Sequence, residues 1–210
     1  GEGVLDTPAG SGTKAGSRGK SETDEWPELP QRVLGIVPGP AVPGWGVLEH
    51  SLDKSRLVAN GTISTSAREP AYERLQQIHQ GVIDVIDEYQ PAAAAIEELF
   101  GGVNIKTALA VGQARGVIVL ACAERGVIPA DYTPLRIKQA VVGYGRASKV
   151  QVQQMVKVLL GLPKVPTPDH AADALGVAIC HAHSLKVGKL LQGGIATAAA
   201  GRAFRRAGNR

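Results

Sequence analysis

The sequence predicts a mixed α/β fold, and three observations carry the prediction. Two apolar segments far apart in the chain, 33–37 and 92–99, read as buried strands. Between them runs a helical repeat, with Leu75, Ile78, Val82, Val85, Ile86 and Tyr89 at helical spacing. Ahead of that helix, short strand-like stretches separated by glycine and proline read as an antiparallel meander. A helical crossover that returns to a parallel strand completes a βα unit.

The elements follow in order. Residues 31–36 open the folded region as a strand. Gly39, Gly44 and Gly46 supply a flexible turn, and 45–48 pairs back as a second strand. Alternation across 56–65 gives a third strand. The helix over 72–89 stops before Pro91. Residues 92–99 are apolar on both faces, which places this fourth strand in the centre, parallel to a neighbour. It runs into two acids, Glu97 and Glu98. A second long helix covers 106–125, and its middle, 110–116, is crowded with small residues. Such a stretch permits close helix approach, either inside the domain or at a subunit interface. Residues 127–132 make a fifth strand. Ser148 opens a further helix, with Gln151 as its capping-box partner. Pro163, Pro166 and Pro168 form a stiff connector, after which Asp169 caps a last helix from His170 to about His183.

Composition divides the 210 residues into three parts. Residues 1–30 lack hydrophobic periodicity and read as a disordered arm, with three basic and six acidic side chains. Residues 31–185 form the folded domain. Residues 186–210 carry six basic and no acidic side chains and read as a flexible tail. No run approaches the ~20 apolar residues of a membrane span, so no membrane partner is expected. Cys122 and Cys180 lie in apolar contexts and read as buried free thiols, the pattern of a reducing, cytoplasmic compartment.

One sign of charge is missing from the 37 positions 132–168, which contain no Asp or Glu but include Arg136, Lys138, Arg146 and Lys149. A charge run is ordinarily a solvated face, but a one-sided run of this length favours a surface for a phosphate backbone. The groups that can converge for chemistry are Glu97, Glu98, Asp169, His170 and Asp173. Adjacent strand residues point to opposite faces, so only one of the two glutamates can join a given site. His170 and Asp173 are three apart and share a helix face. Carboxylates from a strand end, with a carboxylate and an imidazole from a helix start, suit a divalent cation such as Mg²⁺. Two such ions roughly 3.5–4 Å apart can activate water for phosphodiester cleavage. A helix cap and solvent-facing acids would leave the same residues in the sequence.

Several stretches, in order, resemble the RuvC family of Holliday junction resolvases in the ribonuclease H-like superfamily. They are Val33-Leu34-Gly35-Ile36-Val37-Pro38-Gly39, Gly44-Trp45-Gly46, Ala95-Ile96-Glu97, Gly112-Gln113-Ala114-Arg115-Gly116, Lys138-Gln139-Ala140-Val141-Val142-Gly143, Gln151-Val152-Gln153-Gln154-Met155-Val156 and His170-Ala171-Ala172-Asp173-Ala174-Leu175. The resemblance spans about 32–184 and implies a five-stranded mixed sheet flanked by helices. It implies a homodimer that nicks two opposed strands of four-way junction DNA with two Mg²⁺ ions per subunit, alongside the branch-migration proteins RuvA and RuvB. It assigns Glu97, His170 and Asp173 to the metal site, makes Glu98 a bystander and leaves Asp169 as a helix cap. Phe100 matches an aromatic that stacks on a junction base, and Lys138 and Lys149 match basic positions near the scissile phosphate. Arg146 joins them in the positive loop. The family's first metal ligand is an Asp between Ile and Pro-Gly. Here that position is Val37, which offers no lone pair. The chain is therefore expected to be a junction endonuclease by descent, and the alternative is a junction-binding protein impaired in cleavage.

Overall fold

The computed structural model describes residues 31–51, 54–66, 68–98 and 104–207, with side chains described as far as Gly188. Phe100 and the arm over 1–30 lie outside the described residues. Five strands are present: β1 (Gln31–Val37), β2 (Gly44–Ser51), β3 (Lys54–Thr62), β4 (Ala93–Glu97) and β5 (Pro129–Tyr132). Five helices accompany them: α1 (Ala71–Tyr89), α2 (Ile105–Glu124), α3 (Pro134–Val142), α4 (Lys149–Leu159) and α5 (Asp169–Ala207). The strand order is β3-β2-β1-β4-β5. The first three strands pair antiparallel, and β1-β4-β5 pair parallel. This is the five-stranded mixed sheet that the sequence predicts.

Alternation along the central strands builds two apolar layers. Leu34, Ile36, Ala94 and Ile96 pack with α1 and α2 through Ile78, Val82, Ala114 and Ile118. Val33, Ala95 and Tyr132 face the opposite way and pack with α3, α4 and α5 through Ile137, Val156 and Leu175. Helix α5 lies unusually close to the sheet because two glycines make room for it. A Cβ on Gly35 would collide with the Ala174 carbonyl oxygen and come within 2.6 Å of the Ala178 nitrogen. A Cβ on Gly44 would collide with the His170 carbonyl. The start of α5 is thereby seated against the β1–β2 turn, at the end of the sheet where β4 also ends.

Three expectations change. The stretch between β5 and the basic loop around Gly143 and Gly145 contains a helix, α3, where the sequence reading places no element. The Thr133 side chain accepts from the Arg136 backbone N–H at 3.3 Å, Pro134 occupies the first turn, and Gly143 ends the helix with φ 92°. The last helix does not stop near His183 but continues to Ala207. No proline interrupts that stretch, and its alanines favour helix despite the glycines. Finally, α2 is, by length and composition, long and apolar enough to cross a membrane, with a window of mean hydropathy 1.4. One face of it, through Ala114, Ile118, Ala121 and Cys122, is buried in the α1-side layer. Cys122 and Cys180 are free and buried, and burial pushes both thiols up to about 11.

Candidate active site

Strand register brings the first two site positions together. Ile36 pairs with Ile96 across the parallel β1–β4 ladder, so Val37 and Glu97 are the next residues on neighbouring strands. Both fall on the α5 face, as Val33, Gly35 and Ala95 do, and alternation turns Glu98 the other way. Val37 is half-buried and packs against the α5-side core. Tyr132 pairs with Glu97 from β5 and shares a 2.9 Å hydrogen bond with His181 Nδ1, which ties β5 to α5 behind the site.

A cleft of about 190 Å³ opens here, lined by Glu97, Pro134, Ile137, Lys138, Lys149, Val152 and Asp173. Three helices start at or near it: Pro134 begins α3, Lys149 begins α4, and Asp173 lies in the first turns of α5. Helix N-termini carry partial positive charge, which favours anions in the cleft. The Ser148 hydroxyl accepts from the Gln151 N–H at 3.2 Å, and Gln151 Oε1 accepts from the Ser148 N–H at 2.8 Å. This capping box sets the first turn of α4 and so the position of Lys149.

The electrostatics are those of two carboxylates sharing a pocket. Burial, then the neighbouring Asp173 charge, pushes Glu97 up to about 7, while Lys149 and Lys138 partly offset the rise. Lys149 Nζ lies 3.0 Å from Asp173 Oδ2 and 3.5 Å from Asp169 Oδ2. Burial works against the Lys149 charge, but Asp173 and Asp169 outweigh it and hold its pKa above the usual lysine value. Gln153 Nε2 donates to Asp173 Oδ1 at 3.1 Å.

Of the residues singled out in the sequence, the structure gathers Glu97, Asp173, Lys138 and Lys149. His170 is exposed at the second position of α5, its backbone against Gly44, and is absent from the cleft lining. Arg146 is exposed in the loop between α3 and α4 and does not line the cleft either. Asp169 is the first helical residue rather than the cap, since the carbonyl of Pro168 accepts from the Ala171 and Ala172 N–H groups. Gln153 stands in one of the stretches that resemble the family but was given no role there; its spacing of one turn from Lys149 is the signal that could have found one.

The donor set fits one hard cation in part. Glu97 and Asp173 offer the oxygen ligands that Mg²⁺-like ions take, with water able to complete the shell. Val37 offers none. Among the described residues, no three His, Cys, Asp or Glu side chains gather closely enough to hold a metal ion.

A mixed five-stranded sheet with helices on both faces, and carboxylates meeting at the ends of its central strands, is the frame of a ribonuclease H-like protein. Residues 33–181 match the family described as crossover junction endodeoxyribonuclease RuvC. The RuvC protein of Pelotomaculum thermopropionicum is 50% identical over 151 residues, covering 72% of this chain and 92% of that protein. The one from Chloroflexus aggregans is 53% identical over 153 residues, covering 73% and 93%. Among solved structures, Thermus thermophilus RuvC in complex with a Holliday junction substrate superposes with a TM-score of 0.72 at 40% identity, covering 75% of this chain and 96% of that one. The yeast mitochondrial Holliday junction resolvase Ydc2 shares the fold, with a TM-score of 0.53 at 15% identity. The chain belongs to the RuvC family of crossover junction endodeoxyribonucleases.

Proposed function

We propose that this chain binds four-way DNA junctions and that its nicking site is the Glu97–Asp173 cleft, with Val37 holding cleavage far below the family's level. The observation that carries the reading is the convergence of Glu97, Asp173, Lys138 and Lys149 in one cleft of a RuvC-family domain. The cation would be Mg²⁺, held by Glu97 and Asp173, the two carboxylates that line the cleft; His170, expected from the sequence as a further ligand, lies outside that lining. Bound there, a divalent ion supplies Lewis-acid activation of water and of the phosphoryl oxygen. The chain's own residues do the rest. Lys138 and Lys149 bring positive charge to the phosphate, and Glu97, ionised when a cation is bound, supplies an oxygen ligand from the end of β4. Arg146 extends the basic surface along the DNA, and Phe100 stacks on a base at the crossover.

The functional unit is a homodimer, since two opposed strands need two cutting sites. An exposed stripe on α2 supports it: Ile105, Leu109, Gly112, Gly116 and Leu120 recur at helical spacing, and nothing lies within 4 Å of a Cβ added to either glycine. The small-residue run of α2 is therefore free for a partner helix. The domain over 31–185 works in the cytoplasm with RuvA and RuvB, as family membership suggests, and the basic residues after 186 add attraction to DNA.

Val37 favours a second reading, a junction-binding protein that does not cut. Binding to a four-way junction and to a linear duplex, titrated at several salt concentrations in EDTA, tests what the two readings share. Tighter binding to the junction, with a salt slope that flattens in the Lys138→Ala and Lys149→Ala chains, is the expected result. Equal affinity for both DNAs would remove the junction from the proposal.

A further inference from the structure

Asp173 is gripped at both oxygens by one face of α4, and the two grips differ in kind. Gln153 is one of two polar side chains buried among the described residues, at 8% exposure. A buried amide needs a partner, and its Nε2 finds Asp173 Oδ1 at 3.1 Å. One turn earlier, Lys149 Nζ faces the other oxygen at 3.0 Å. The Lys149 side chain is half-exposed, at 49%, and is shared with Asp169. Its ammonium can be displaced by an entering cation or drawn away by a phosphate. Gln153 is neutral, nearly buried and unable to titrate, so its hold on Asp173 persists when the cleft fills. Helix α4 cannot slide to release it, because the Ser148–Gln151 capping box fixes one end and Val152 and Val156 are buried in the α5-side core.

We propose that Gln153 is a positioning residue that fixes the Asp173 carboxylate, keeping Oδ2 available to a cation in the cleft. The proposal rests on the reading of Asp173 as a metal ligand. Partners of this kind behind a metal-binding carboxylate are worth about 10–100-fold in affinity. A purely structural amide, tying α4 to α5, would change stability without changing metal affinity or the orientation of Asp173.

The test is calorimetric titration of Mn²⁺ into the full chain and its Val37→Asp variant, each with and without Gln153→Met, Gln153→Ala or Asp173→Asn. Unfolding midpoints serve as the control for folding, and crystal structures of the Gln153 variants report the Asp173 side chain. The proposal predicts an affinity loss of about tenfold or more for both Gln153 variants at near-parental midpoints, with a rotated Asp173 carboxylate. Parental affinity in both Gln153 variants, with loss in Asp173→Asn, overturns the positioning role and leaves the site reading intact. Parental affinity in Asp173→Asn, or no binding by any chain, overturns the site reading and the positioning role with it.

Discussion

At the end of β1, Val37 stands beside Glu97 on the same face of the sheet, where a carboxylate would complete a cluster with Asp173. Valine costs the fold nothing there, because a β-branched side chain suits a strand end and packs against the α5-side core. It costs the chemistry a ligand. Glu97 carries a second prediction. Its pKa is raised from 4.5 to about 7 in the folded protein, so between those values the native state binds more protons than the unfolded one. The contribution of Glu97 to stability without metal is then fully present below pH 4.5 and is lost as pH rises through about 7. Discounted for solvent access, the loss is about 2 kcal/mol. Denaturant unfolding in EDTA should show Glu97→Gln gaining that amount over the parent at pH 8 and little at pH 4. An equal difference at both pH values would refute the shared-pocket electrostatics. Divalent ions should bind more tightly as pH rises through the same window, because the ligand must be ionised.

At the scale of elements, the site depends on how closely α5 approaches the sheet. Gly35→Ala would place a Cβ against the Ala174 carbonyl and the Ala178 nitrogen, both backbone. The expected cost is about 3 kcal/mol, seen as a lowered unfolding midpoint. A near-neutral result would mean that α5 is seated elsewhere. Ser148→Ala should cost about 1 kcal/mol through loss of the α4 cap. How much of this was legible in the sequence varied with range. The strands, α1, α2 and the α4 cap follow local periodicity and capping chemistry. Helix α3 was missed because nine residues give little periodicity, although Thr133, Pro134 and Gly143 mark its ends. The Gln153–Asp173 contact joins residues twenty positions apart on two helices, and no local pattern encodes it. The sequence brought His170 to the same helix face as Asp173, but it could not show how exposed the start of α5 is.

For the whole molecule, two surfaces organise function: the cleft at the strand ends and the exposed stripe of α2. If the stripe joins two copies, Leu109→Glu should shift the chain from dimer to monomer in light scattering while its circular dichroism is retained. A dimer unchanged by that substitution would move the interface elsewhere. Whether the cleft cuts DNA is decided by nicking of a four-way junction in Mg²⁺. The unmodified chain is compared with Val37→Asp and with the Val37→Asp/Glu97→Gln double variant. Weak nicking by the unmodified chain, a rise on the order of 100-fold with Val37→Asp, and loss of that gain when Glu97 is also changed are expected. Vigorous Mg²⁺-dependent nicking by the unmodified chain, or a double variant as active as Val37→Asp, would contradict that expectation.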